Sequence, residues 1–123
     1  MVMTEDQIKD CLRKWLEENG WTVRVAPGHV RGIDIEAAIA GRRRIIEVKG
    51  SGSRPQMRVN FFLAVLGEIL QRMNDHEAMY SIAMPDLPQY RSLWQRLPHE
   101  AKARIKITAF FVNEEGKAYE VSD

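Results

Sequence analysis

Residues 32 to 50, GIDIEAAIAGRRRIIEVKG, constrain this chain more than any other stretch. Two runs that alternate between apolar and polar residues are joined by a Gly41-Arg42 turn. Strand side chains alternate with period two, so in Ile33-Asp34-Ile35-Glu36 the isoleucines point to one face and the carboxylates to the other. The same rule puts Glu47 and Lys49 on one face and Ile46 and Val48 on the opposite one. Paired as a hairpin, the two runs bring Asp34, Glu47 and Lys49 to one end of a sheet. An acid pair beside a lysine is what metal-assisted hydrolysis of a phosphodiester requires.

The flanking sequence predicts the rest of a fold around this hairpin. Thr4-Glu5-Asp6-Gln7 has the capping-box form, and Ile8, Cys11, Leu12, Trp15 and Leu16 follow at helical spacing. Asn19-Gly20 supplies the stop, giving a helix over about 5–19. Trp21 to Val25 reads as a first strand, Pro27-Gly28-His29 as a turn, about 32–40 as a second strand and about 43–49 as a third. Gly50 to Pro55 is a turn-rich loop. A second helix runs from Gln56 or Arg58 to Met73, its core stripe formed by Phe62, Val65, Leu66, Ile69, Leu70 and Met73. Phe61 and Leu63 widen that stripe, so the helix is expected to be buried on more than one side. Asn60, Ala64, Gly67 and Gln71 form its least apolar stripe, which is read as a packing surface. A strand over 79–84, a short helix through Trp94 and Leu97 that Pro98 ends, a strand over 105–112 and a last strand over 119–121 complete the chain.

The order is therefore α-β-β-β-α-β-α-β. Short connections let the first three strands form an antiparallel meander. A helical crossover from the third strand to the fourth favours a parallel pair. An α/β fold with a mixed central sheet flanked by helices follows, and at 123 residues it forms a single domain, 1–123.

Composition excludes several classes of function. The lone cysteine, Cys11, permits no internal disulfide. Met1-Val2-Met3 leads straight into Thr4-Glu5-Asp6, which is not signal-peptide-like, and the apolar run from Phe61 to Leu66 is too short to span a bilayer. A soluble cytoplasmic protein with no membrane partner is the expectation. Net charge is only +1, but from Arg24 to Arg58 eight basic residues face three acids. That local excess is compatible with phosphate binding; on charge alone, the hairpin arginines are read as solvated. His29, His76 and His99 lack metal-ligand spacing. Cys11, Trp15 and Trp94 are read as packing residues, and Glu36 as a solvated edge residue.

The chemistry of the acid pair follows from its residue types. Mg²⁺ prefers oxygen ligands and keeps several waters, so one or two carboxylates plus a substrate phosphate suffice to hold it. Asp34 and Glu47 are that minimal pair. Lys49 lies where its ammonium would orient the attacking water and offset developing negative charge.

Gly32-Ile33-Asp34-Ile35 followed by Ile46-Glu47-Val48-Lys49-Gly50 resembles the motif of the PD-(D/E)XK nuclease superfamily, and is closest in style to its small Holliday-junction-resolvase-like members. The resemblance covers about residues 4–84. It implies a restriction-endonuclease-like αβββαβ core, which matches the order read from periodicity. It further implies that Asp34, Glu47 and Lys49 are catalytic, and that Asp34, Glu47 and the carbonyl of Val48 bind Mg²⁺ or Mn²⁺. Gly32-Ile33 stands where many members have proline before the aspartate. Many members also carry a first-helix glutamate near the metals, for which Glu5 and Glu18 are the candidates, Glu5 being taken as the auxiliary acid. Arg31, Arg54, Gln56, Arg58 and Asn60 are candidate nucleic-acid contacts. The function so implied is metal-dependent hydrolysis of phosphodiester bonds in DNA, in a repair, recombination or restriction context. A homodimer through Phe61 and Leu63, or a partner protein that targets the chain, would complement a domain without a separate DNA-reading element. The rival reading is a catalytically silent nucleic-acid-binding or assembly module on the same fold.

Overall fold

The structure is a computed structural model that describes residues 2–27 and 32–123. It consists of α1 (Glu5–Glu18), β1 (Thr22–Val25), β2 (Ile35–Ile39), β3 (Arg42–Val48), α2 (Pro55–Gln71), β4 (Met79–Pro85), α3 (Pro88–Arg96), α4 (His99–Ile105), β5 (Ile107–Val112) and β6 (Ala118–Val121). The six strands form one sheet in chain order, β1-β2-β3-β4-β5-β6. β1, β2 and β3 are antiparallel neighbours, β3-β4 and β4-β5 are parallel, and β5-β6 is antiparallel. This is the α/β mixed sheet with helices on its faces that the sequence predicts.

α1 begins with the expected capping box, in which the Thr4 side chain accepts from Gln7 N–H and the Gln7 side chain accepts from Thr4 N–H. Its stripe of Ile8, Leu12 and Leu16 is fully buried against Ile35, Ile46, Val48 and Phe110 on one face of the sheet. The other face carries Ile45, Ile82, Met84 and Phe111 beneath α2 and α3, with Phe62, Val65, Ile69, Tyr90 and Trp94 filling the gap. Two helix layers thus enclose the centre of the sheet, and the apolar burial on each face supplies the main driving force for folding.

Four details differ from the sequence-based expectation. The hairpin turn is Ala40-Gly41, with both residues at positive φ (48° and 80°), and Ile39 pairs with Arg42 across it. Two positive-φ residues make the primed turn that matches strand twist. Gly41 adopts this conformation freely, whereas Ala40 does so at a steric cost. Secondly, β2 starts at Ile35, and Asp34 lies in the bend before it. Ile33 packs on the α2 side and Ile35 on the α1 side, so the expected shared face for the two isoleucines is not formed. The period-two rule fails there because the backbone is not yet in a strand.

Thirdly, an extra helix, α4, precedes β5, and Lys106 ends it in the left-handed conformation at φ 53°. His99 to Ile105 has no apolar stripe; α4 packs through half-buried Ile105 at its end and the stem of buried Lys102, whose Nζ lies 4.6 Å from the Trp94 ring centre. Finally, α2 is buried on one side only. Leu63 and Leu70 are 62% and 48% exposed, and Asn60, Ala64 and Gln71 also face outward, so this stripe is not a packing surface among the described residues. No helix among the described residues is long and apolar enough to cross a membrane.

Candidate active site

β3 is a central strand, and it delivers the two key side chains at its C-terminal end. Ile46 and Val48 point into the α1-side core, so Glu47 faces α2, as alternation requires. Lys49 follows directly, and its N–H donates to Ala83 O at 3.0 Å, which fastens the end of β3 to β4. Asp34 reaches the same place from the bend before β2. Its Oδ2 accepts the N–H of Val48 at 2.9 Å, while its own N–H donates to Glu47 Oε2 at 2.9 Å.

Each charge at this place has a counter-charge from a helix. The Nζ of Lys9, on α1, lies 3.4 Å from Asp34 Oδ1 and donates to Ala26 O at 3.0 Å. On α2, Glu68 accepts from Lys49 Nζ at 3.1 Å, and Arg72, at the C-cap of α2, places Nη2 3.6 Å from Glu47 Oε1. Arg72 also donates to Gly32 O at 2.9 Å. Its Nε is buried without a hydrogen-bond partner among the described residues.

Glu5, Gly32, Asp34, Glu47, Lys49, Glu68 and Arg72 together line an open pocket of about 390 Å³. Glu5 arrives there because the loop after β3 clamps the start of α1. Ser51 N–H donates to Met3 O at 2.8 Å, and Met3 N–H donates to Ser51 Oγ at 2.7 Å. Gly50 lies so close that a Cβ on it would stand 2.8 Å from Met3 O and 3.1 Å from Glu5 N. Tyr90 holds the loop from the other side by donating its hydroxyl to Gly50 O at 2.8 Å.

Burial dominates the electrostatics. Glu47 is 2% exposed, and loss of water pushes its carboxyl above the usual range, although the Asp34 N–H bond pulls the other way. Burial likewise raises Glu5, with nearby Lys49 opposing it and Asp34 reinforcing it. The pocket therefore holds carboxylates that would gain from an added positive charge.

The predicted residues divide clearly. Asp34, Glu47, Lys49 and Glu5 are brought together, and Val48 stands between Glu47 and Lys49 in the chain. Glu18 lies at the far end of α1 and is exposed. Arg54 is exposed beside the start of α2, and Gln56 donates to Asn60 at 3.3 Å on an outer face. Arg58 is tied to Gln89 Oε1 at 2.6 Å and Ser51 O at 3.3 Å. None of these five lines the pocket. Arg31 and His29 lie outside the described residues.

Much of the basic stretch is paired internally. Arg24 and Arg43 both bind Glu36 at 2.9 Å, which makes Glu36 an ion-pair centre rather than a free edge acid. Arg44 is not solvated as expected. It is 3% exposed, pairs with Glu120, and lies between the rings of Trp21 and Phe110. The residues missed from sequence are Lys9, Glu68 and Arg72. Their signal was spacing: Lys9 is four after Glu5, and Arg72 is four after Glu68, so each pair shares a helix face.

The donor set is all oxygen, as Mg²⁺ and Mn²⁺ prefer. Among the described residues, no group of three or more His, Cys, Asp or Glu side chains is placed to hold a metal. Asp34 and Glu47 are the two carboxylates that would hold such an ion.

The fold is similar to two solved structures. One is a crystal structure of an FdxN element excision controlling factor protein from Anabaena variabilis, at a TM-score of 0.64 and 20% identity over 96% of this chain and 99% of that one. The other is a crystal structure of an XisH family protein from Nostoc punctiforme PCC 73102, at a TM-score of 0.62 and 22% identity over 94% of this chain and 99% of that one. No family model matches the chain, and no curated protein matches it. At these identities the likeness concerns the fold, which is restriction-endonuclease-like.

Proposed function

We propose that this chain is a metal-dependent nuclease of the PD-(D/E)XK type that hydrolyses phosphodiester bonds in DNA. The observation that carries the reading is the convergence of Asp34, Glu47 and Lys49 on one pocket at the end of a central strand, with Glu5 beside them. The name of one of the two similar structures refers to control of the excision of an element, which favours a polynucleotide substrate in an excision context.

Asp34 and Glu47 would hold Mg²⁺ or Mn²⁺, together with the Val48 carbonyl. When bound, such an ion neutralises phosphate charge and activates a water. Lys49 would orient that water and stabilise the charge that develops on the phosphate, once its ammonium leaves Glu68. The reciprocal bonds of Asp34, Glu47 and Val48 fix both carboxylates before substrate arrives, so little reorganisation is needed. A second copy of the chain would supply a second cut, and a targeting partner would supply substrate choice.

One observation favours the catalytically silent reading. Lys49 is already paired with Glu68, and both carboxylates already have cations near them. Incubation with Mg²⁺ or Mn²⁺ and branched, single-stranded and duplex DNA separates the two. Cleavage by the wild type that Lys49→Ala loses supports the nuclease. No cleavage of any substrate by the wild type overturns it.

A further inference from the structure

Glu68 is the single acid among the 17 residues of α2, and it stands one turn before the Arg72 C-cap. The helix dipole makes that end negative, so a carboxylate there works against the helix. Arg72 is four residues on, the spacing at which an arginine offsets such an acid. It is turned elsewhere, with Nη2 on Gly32 O at 2.9 Å and 3.6 Å from Glu47 Oε1. Glu68 is left to Lys49, whose Nζ donates to its Oε2 at 3.1 Å. A partly exposed pair of this kind adds little to folding, so the acid has its main effect on the site.

The side chain of Lys49 is 17% exposed and that of Glu68 37%, which makes the carboxylate the outer member of the pair. Both line the pocket with Asp34 and Glu47. An anion arriving from solvent therefore meets Glu68 as well as the ammonium it is to reach. A phosphate and a carboxylate make the same kind of charge-assisted hydrogen bond to an ammonium. Lys49 has three donors, but two anions gathered on one ammonium repel each other at close range. Phosphate and Glu68 thus compete for Lys49.

Resting on the nuclease reading above, we infer that Glu68 is a competing anion built into the site, which masks Lys49 in the free chain and is displaced by a DNA phosphate on binding. Arg72 pins the end of α2 at Glu47 and Gly32, and the acid one turn earlier sets how readily phosphate reaches the lysine.

The test is DNA binding in EDTA, where no divalent ion contributes and no metal-dependent cleavage intervenes. Fluorescence anisotropy of labelled branched, single-stranded and duplex DNA is followed over a range of salt for the full chain and its variants. Glu68→Gln should bind about 2–5-fold tighter than the wild type, the strength of a partly exposed ion pair. Its salt dependence should be steeper by about 0.9 on duplex and about 0.7 on single strands, because the wild type must re-solvate a freed carboxylate for the phosphate it gains. Glu68→Asp, which keeps the charge, should bind as the wild type does. In a Lys49→Ala background, Glu68→Gln should bring no gain, since there is no ammonium to unmask. A Glu68→Gln that binds no tighter than the wild type, or gains as much without Lys49, would overturn the inference; cleavage by the wild type would leave the nuclease reading standing. If neither wild type nor Glu68→Gln binds any of the three DNAs, the inference falls, and the cleavage assay decides the nuclease reading separately. Thermal melts establish that each variant is folded, and Glu68→Ala is the second neutral variant.

Discussion

Asp34 donates its backbone N–H to Glu47 Oε2 at 2.9 Å and accepts the N–H of Val48 on its own Oδ2 at the same distance. The two acids are therefore braced against each other's strands, and neither depends on a rotamer preference alone. This brace explains how a residue in a bend is held as firmly as one in a central strand.

Removing Asp34 should cost stability as well as activity. Asp34→Ala leaves the buried Lys9 ammonium without its carboxylate, and breaking such a pair costs about 3 kcal/mol. Asp34→Asn keeps an acceptor for Val48 N–H and should lose less. Urea unfolding of both variants measures the difference; equal and negligible losses would sink the idea that Lys9 depends on Asp34.

Glu47 sets a pH dependence whose sign is fixed by its burial. Its carboxyl is raised in the folded chain, so between its ordinary and raised values the folded state holds more protons than the unfolded one. Stability contributed by this group is therefore present at acid pH and lost as pH rises through the raised value. Glu47→Gln removes that loss while keeping an acceptor for Asp34 N–H. Its melting temperature should gain on the wild type as pH rises from the ordinary carboxylate range through the raised value of Glu47. A constant offset across that range would contradict the assignment.

Lys49 should behave oppositely, mattering to chemistry and little to folding. Its partner Glu68 is partly exposed, and pairs of that kind contribute about 0–1 kcal/mol. Lys49→Ala should lower single-turnover cleavage by about 10²–10³-fold, with a nearly unchanged melting curve. A variant that cleaves at the wild-type rate would remove Lys49 from the mechanism.

Gly50 should tolerate no side chain. A methyl there meets the backbone of Met3, Thr4 and Glu5, which cannot move without shifting the start of α1. Gly50→Ala should destabilise the fold by about 1–3 kcal/mol, the usual cost of overpacking. It should also weaken Mn²⁺ binding by displacing Glu5. Both are read from thermal melts with and without Mn²⁺.

The sequence made the sheet legible because alternation and helix period are strong where residues are half-buried. Glu47 and Lys49 fell on the expected face for that reason. Asp34 was found for a weaker reason, since its strand begins one residue later and Ile33 leaves the pattern. Its placement rests on two hydrogen bonds that no local pattern encodes. Lys9 was missed because a charged residue on the flank of an apolar stripe reads as solvated. Glu68 and Arg72 were missed because their partners are 19 and 25 residues away in the chain. α4 escaped because its contact with the core is made by a lysine stem and a single terminal isoleucine, Ile105.

The agreement between strand order and chain order has a consequence for biosynthesis. Each strand emerging from the ribosome finds its sheet neighbour already made, so the hairpin bearing Asp34 and Glu47 can form early. α1 is synthesised first, yet it packs against all six strands, the last of which ends at Val121. Its floor is complete only when β6 is out. Glu5 and Lys9 should therefore join the acids last, and a nascent or truncated chain would carry the hairpin without a working centre. Hydrogen exchange on a chain shortened after β4 would show α1 unprotected; full protection there would contradict this order of events.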